Sequence, residues 1–242
     1  MTSFSSEVKA RILVLDDHPL LREGLALIIN RESDLMSCVD GQSPRDLHLT
    51  VLNLKPDLVT LDLGFQNGEG LDVIKNLQLN YPQLPILVIS QYDEMTYAER
   101  ALKAGARGYV MTDQATDKVL AAIRAVLAGD LYFSPRIAAL ALHRFGQNRP
   151  DISHNNGGIG VLSNRELQVL ELLGAGLSTR LVAQKLGLSV KTIEAHRENI
   201  KHKLGLSSAP QLMTYAANWL KGQSHRHSPE VVASPIETGP NE

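Results

Sequence analysis

Apolar residues along this chain follow two rhythms. In the first 130 residues, short unbroken apolar runs alternate with longer stretches whose apolar positions recur every three or four residues. The runs are Arg11–Leu15, Met36–Val39, Leu58–Leu63, the string ILVIS ending at Ser90, and Gly108–Met111. Runs of Val, Ile and Leu without polar alternation mark strands buried on both faces. The stretches between them read as helices. His18-Pro19 opens one through Asn30, with Leu21, Leu25, Ile28 and Ile29 on one stripe. Ser43 is placed to cap a second, which carries Leu47, Val51 and Leu54. Leu71, Ile74 and Leu77 start a third after a loop, Gly64–Gly70. A fourth runs from about Met95 to Ala104 and stops at Gly105, and a fifth covers Thr116–Ala128. Strand and helix in alternation predict an α/β doubly wound domain with a five-stranded parallel sheet and right-handed crossovers.

The second rhythm fills residues 162–221 and contains no strand pattern. Ser163 and Glu166 form a capping box ahead of Leu167, Val169, Leu170, Leu172 and Leu173. Ser178 caps a short helix, Thr179–Leu186. Gly187-Leu188 turns the chain, and Ser189 caps a longer helix to about Leu204. Two helices joined by a tight glycine turn make a helix-turn-helix. A last apolar helix covers about Pro210–Leu220. The chain thus divides into a lead-in (1–9), an α/β domain (10–130), a linker with a helix from near Pro135 and a flexible hinge over Gly146–Gly160 (131–161), an all-α domain (162–221) and a disordered tail (222–242).

Charge sharpens this division. Residues 1–145 carry 14 Lys/Arg against 18 Asp/Glu, whereas residues 162–221 carry 8 against 4. An acidic front and a basic back assign contact with a polyanion to the back. No apolar run approaches the ~20 residues that span a membrane. The lone Cys38 has no internal disulfide partner, which fits the cytoplasm.

Two of the front runs end in acids: RILVLDD at Asp16-Asp17 and DLVTLDL at Asp62. Functional groups in doubly wound sheets gather beyond the carboxyl ends of the strands. If these strands are neighbours, Asp16, Asp17 and Asp62 converge and need a cation, and oxygen ligands suit Mg2+. One carboxylate can then act as nucleophile toward a phosphoryl group. In the back, the helix opened by Ser189 offers Lys191, Lys201 and Lys203 to phosphates. Arg197 suits guanine, and Glu194 or Glu198 suits cytosine. Thr192, His196 and Asn199 are polar backbone contacts, and Ala195 shares the exposed face. Ile193, Ile200 and Leu204 repeat at helical spacing and are expected in the core.

Together these motifs resemble the two-component response regulators of the NarL/FixJ class, in which a flavodoxin/CheY-like receiver is joined to a LuxR-type helix-turn-helix. The front carries Asp16-Asp17-His18-Pro19, Asp62, Gly70, Ser90 and Gly108-Tyr109. The back carries LSNRELQVLELLGAGLS and VAQKLGLSVKTIEAHRENIKHKLGL. The resemblance implies phosphate acceptance at Asp62 from a cognate sensor histidine kinase, Mg2+ on Asp16 and Asp17, and a switch through Ser90 and Tyr109. It also implies a homodimer on double-stranded DNA, paired through the last helix or with that helix serving the core alone. Two positions depart from the family. Thr112 stands in GYVMTD where a lysine is expected, and Gln66 stands where a proline is expected. A threonine lacks the ammonium for a charge-assisted bond to phosphate; Arg107 or Lys118 is the available substitute. Two readings of the front therefore stay open: a phosphorylated switch reshaped by Thr112, or a receiver that works through dimerisation, ligand or partner without phosphate. A phosphatase with an Asp nucleophile would need a second acid at position 64, and Gly64 stands there.

Overall fold

The structure, a computed structural model, describes residues 9–38, 46–135, 137–139 and 158–224. The front domain comprises β1 (Ala10–Leu15), α1 (Pro19–Asn30), β2 (Leu35–Ser37), α2 (Leu47–Leu54), β3 (Leu58–Leu61), α3 (Phe65–Gly68), α4 (Gly70–Asn80), β4 (Ile86–Ser90), α5 (Glu94–Ala104), β5 (Gly108–Met111) and α6 (Thr116–Leu127). The strands form one parallel sheet in the order β2-β1-β3-β4-β5. The order reverses at β1, so the crevice beside it is a topological switch point. Leu15 pairs with Leu61 in register, and the Asp62 amide donates to the Leu15 carbonyl over 2.9 Å. That register sets Asp16 beside Asp62 as the strands end.

Several boundaries differ from the sequence expectation. β3 stops at Leu61 because the Asp62 carbonyl accepts from Phe65 N–H (3.1 Å) and starts the turn of α3. The expected loop 64–70 holds that turn because the Phe65 ring is fully buried and pins it. Asp46 caps α2, its carboxylate accepting from Leu49 N–H over 3.0 Å; Ser43, the expected cap, and Val39 lie outside the described residues. After α6 the chain returns along β5, Tyr109 N–H donating to the Tyr132 carbonyl (2.8 Å), and enters helix at Pro135. Most of the expected hinge also lies outside the described residues. Its last part does not: Ile159–Val161 forms a 3-10 helix with the Ile159 side chain buried.

The back domain comprises α7 (Asn164–Gly174), α8 (Thr179–Lys185), α9 (Val190–Leu204) and α10 (Ala209–Ser224). The capping box forms: Ser163 N–H donates to Glu166 Oε2 (2.7 Å), and Glu166 N–H donates to Ser163 Oγ (3.3 Å). Leu167, Leu170 and Leu173 of α7, Ile193 and Ile200 of α9, and Leu212 and Ala216 of α10 fill the core. Gly174 lets α10 approach closely, since a Cβ there would meet the Ala216 carbonyl oxygen at 2.5 Å. Helix α10 continues to Ser224, beyond the expected end. No helix among the described residues is long and apolar enough to cross a membrane.

Polar contacts join the domains through α5. The Tyr97 hydroxyl donates to Glu171 Oε2 (3.0 Å). Arg100 donates to the Leu162 carbonyl (3.0 Å), Asn164 Oδ1 (2.9 Å) and the Ile159 carbonyl (3.3 Å).

Candidate functional site

At the switch point, Asp62 is 5% exposed and Asp16 8%. Both oxygens of Asp62 accept hydrogen bonds. Ser90 Oγ donates to Oδ1 over 2.6 Å, and Gly64 N–H donates to Oδ2 over 3.0 Å. Space is tight at 64: a Cβ there would stand 2.6 Å from Asp62 Oδ2, so a larger residue would have to displace that carboxylate oxygen. Asp16 Oδ1 accepts from His18 N–H (2.8 Å) and lies 3.0 Å from His18 Nδ1. Burial pushes the Asp62 carboxyl above its ordinary range; the Ser90 hydrogen bond opposes this and the Asp16 charge reinforces it.

Asp16, His18 and Asp62 bring one ligand atom each within 4.8 Å of one another. Two neighbouring buried carboxylates fit a hard divalent cation, which relieves the repulsion that proximity creates. His18 was not foreseen in this group, although its position directly after the acid pair is visible in the string DDHP. Asp17 was expected in the cluster and is not part of it. Its Oδ2 instead accepts from Gln66 N–H over 2.7 Å. Gln66 has φ +51°. A proline could hold neither that angle nor that donor, so the departure at 66 and the tether on Asp17 have one cause.

Ser90 is fully buried, and the buried Tyr109 donates from its hydroxyl to the Tyr92 carbonyl over 2.8 Å. Thr112 is exposed, its N–H bonded to the Ser90 carbonyl (3.0 Å). Neither suggested replacement cation joins the cluster. Arg107 precedes β5 at the opposite end of the sheet, and Lys118 donates to Gln114 on the surface (2.9 Å). A path of contacts instead leads away from Asp62: Ser90 Oγ lies 3.5 Å from the Tyr92 amide, and the Tyr92 and Tyr97 rings lie 5.0 Å apart. The Tyr97 hydroxyl then reaches Glu171 of the back domain. Sequence reading missed Tyr97, Arg100 and Glu171. The available signal was an acid at 171, one helical turn after Leu167 on the apolar stripe.

In the back domain, Ser189 caps α9 by accepting from Thr192 N–H (3.0 Å), and the two hydroxyls lie 2.7 Å apart. Lys191, Glu194, Ala195, Glu198, Asn199 and Lys203 are exposed; Thr192, His196, Arg197 and Lys201 are half-buried. Arg197 donates to Thr179 Oγ1, tying α9 to α8. Lys201 pairs with Glu198 (2.9 Å), and Lys203 pairs with the buried Glu166 (2.7 Å). Burial holds His196 below its ordinary range, against the pull of the Glu166 charge.

Residues 12–124 match the family model described as response regulator receiver domain, and residues 160–216 match that of bacterial regulatory proteins, luxR family. Oxygen regulatory protein NreC of Staphylococcus carnosus is 32% identical over 208 residues, covering 85% of this chain and 96% of that protein. NreC of Staphylococcus aureus matches to the same extent. Among solved structures, a LuxR-family two-component response regulator from an Aurantimonas species is 29% identical, with a TM-score of 0.50, over 57% of this chain and 99% of that one. The RcsB response regulator of Salmonella typhimurium, at 21% identity, shares the fold with a TM-score of 0.59 over 87% of this chain and 98% of that one.

Proposed function

The chain belongs to the two-component response regulators that join a receiver to a LuxR-type DNA-binding domain, and on that premise we propose that it works in the cytoplasm and that phosphorylation of Asp62 by a cognate sensor histidine kinase controls how its back domain grips DNA. The observation that carries this reading is the contact path from Asp62 through Ser90, Tyr92 and Tyr97 to Glu171. An Asp62 oxygen attacks the phosphorus of a phosphohistidine. The new P–O bond replaces the P–N bond, and the departing imidazole nitrogen takes its proton from solvent. Asp16 and Asp62, with Asp17 held beside them by the Gln66 amide, would hold Mg2+, which would supply positive charge against the phosphoryl oxygens. The Gly64 N–H already points at the carboxylate and remains a donor. Ser90 must release Asp62 Oδ1 to donate to the phosphoryl group. That movement pulls on the segment carrying Tyr92, whose carbonyl holds the Tyr109 hydroxyl. Thr112 contributes a neutral hydroxyl where an ammonium would give a stronger bond, so the switch is weighted toward Ser90.

On the DNA side, α9 enters the major groove. Lys191 and Lys201 meet phosphates, with Ser189, Thr192, His196 and Asn199 as polar backbone contacts and Ala195 against the groove wall. Arg197, Glu194 and Glu198 read base edges. Lys203 contributes when its pairing with Glu166 loosens. A single module buries about 600–1,000 Å², so binding is by a homodimer on a two-fold site, with α10 as the pairing helix. The test of the phosphate step is incubation with acetyl phosphate and Mg2+ followed by intact-mass measurement. One added phosphoryl group that is lost in Asp62→Ala supports the reading. No gain, or a gain that survives Asp62→Ala, overturns it.

A further inference from the structure

Tyr132, which follows α6, pairs with the outer edge of β5 in parallel. Tyr109 N–H donates to its carbonyl (2.8 Å), and its own N–H donates to the Arg107 carbonyl (2.9 Å). Two residues on, Ser134 N–H donates to Oε1 of Glu94, the first residue of α5 (2.9 Å). We propose that residues 132–135 form a strap across β5 and α5, and that its hold on Glu94 helps to keep the two domains docked.

The strap is built into the fold at both ends. An edge strand leaves backbone groups without partners, and Tyr132 supplies them for Tyr109 N–H and the Arg107 carbonyl. The approach is close: a Cβ on Gly108 would stand 2.9 Å from the Tyr132 carbonyl oxygen, so a larger residue there would have to push the strap aside. At its far end the strap turns into helix. The Ser134 carbonyl accepts from Ala138 N–H (3.0 Å), and Ser134 Oγ accepts from Ile137 N–H (3.4 Å). Ile137 is 4% exposed. With the half-buried Phe133 it joins the apolar cluster that runs from Tyr97 and Ala101 of α5 to Ile159 and Leu162 of the back domain.

Helix α5 is thus gripped by two bodies. Glu94 holds the strap; Tyr97 holds Glu171; Arg100 holds the Leu162 and Ile159 carbonyls and Asn164 Oδ1. All three residues lie on one 11-residue helix. A helix already ordered by one contact loses less entropy on making the next, and such coupling is reciprocal. Loosening the Glu94–Ser134 bond therefore weakens the Tyr97 and Arg100 contacts, and parting the domains loosens the strap. Glu94 also follows Ser90, which holds Asp62, by a single short loop. On the reading above, movement of Ser90 reaches Glu94 through that loop and releases the strap. Only this trigger rests on that reading; the coupling between strap and domains does not.

The test is residue-resolved amide hydrogen exchange of the full chain without phosphodonor, paired with small-angle scattering at pH 6. In Glu94→Ala, the Ser134 and Tyr132 amides should exchange roughly tenfold faster, as the loss of one hydrogen bond implies, and the radius of gyration should rise. Glu94→Gln keeps an acceptor oxygen and should restore both. Tyr97→Phe, which cuts the Glu171 contact without touching the strap, should also speed Ser134 exchange. Unchanged amide exchange in β3 certifies that each variant is folded. Exchange at Ser134 that ignores Glu94→Ala would overturn the strap. Faster exchange with unchanged dimensions, a Glu94→Gln chain that behaves as Glu94→Ala, or unaltered Ser134 exchange in Tyr97→Phe would overturn its coupling to the domains. Failure of Asp62 to take up a phosphoryl group overturns the preceding reading and leaves this coupling standing.

Discussion

The acid site of the receiver and the recognition helix of the back domain are built on opposite plans. Asp62 is buried, and both of its oxygens already accept hydrogen bonds within its own domain. Helix α9 presents Lys191, Glu194, Ala195 and Asn199 to solvent, while Ile193 and Ile200 anchor it in the core and Arg197 and Lys203 tie it to Thr179 and Glu166. A buried site with filled valences changes state only by exchanging one partner for another. An exposed helix needs only to be positioned. On the proposed reading, phosphorylation would act where bonds must be remade, and DNA binding would be regulated by placement. The same contrast recurs within α7. Glu166 is fully partnered inside its domain, and its hydrogen bonds to Lys203 and Ser163 hold its carboxyl below the ordinary range against burial. Glu171, further along the helix, faces the receiver, and burial pushes its carboxyl up to about 8.

The largest effect is expected at the tightest point. Gly64→Ala puts a methyl group 2.6 Å from Asp62 Oδ2. Displacing the nucleophile by about an ångström slows phosphorylation by roughly a hundredfold, while the back domain keeps its DNA affinity. Rates measured with acetyl phosphate check this, and an unchanged rate would mean that the crevice is not rigid. Next comes Lys203→Ala, which leaves the buried Glu166 without its cation. Because Lys203 is itself partly exposed, the loss is about 1–2 kcal/mol of back-domain stability, read from urea denaturation. A loss within about 0.5 kcal/mol, the usual scatter of a surface change, would show that the capping box alone satisfies Glu166.

A smaller effect follows pH. Burial raises Glu171, the Tyr97 hydrogen bond lowers it, Asp93 raises it and Arg100 lowers it. With the domains apart, the carboxyl returns toward 4.5, so the docked state binds more protons between pH 4.5 and about 8. Docking is therefore favoured at the low end of that window and weakens as pH rises through it. Small-angle scattering should show the chain extending between pH 6 and 8.5, and Glu171→Gln should flatten the response. A wild-type chain whose dimensions ignore pH would remove Glu171 from the latch. The smallest effect is expected at Lys191. Lys191→Ala should leave stability unaltered and lower the salt slope of DNA binding by about one; an unaltered slope would take Lys191 off the phosphate backbone.

Much of this layout is legible in the sequence because it is local. The apolar runs fix the strands, and their register delivers Asp16 beside Asp62 from opposite sides of a helical crossover. Ser163, Ser178 and Ser189 announce three helices because a cap acts within three residues of itself. What was illegible depends on distant partners. Glu171 meets Tyr97 across 74 residues, and Lys203 meets Glu166 across 37. The apolar period that marked α7 says which face is buried but not what covers it. The turn of α3 was hidden in a glycine-rich string, and only the buried Phe65 ring shows why it folds. The setting of Asp17 was hidden for a related reason: the Gln66 amide it accepts from depends on a left-handed φ that no residue type announces.

The central claim is that a phosphoryl group on Asp62 changes how α9 is offered to DNA. The most direct measurement is fluorescence anisotropy of a duplex selected from genomic fragments by this protein, titrated with the full chain before and after treatment with acetyl phosphate and Mg2+. The account predicts a change in affinity on treatment of the wild-type chain and none in Asp62→Ala. Equal affinity of the phosphorylated and untreated wild-type chain, with the phosphoryl group confirmed by mass, would contradict it.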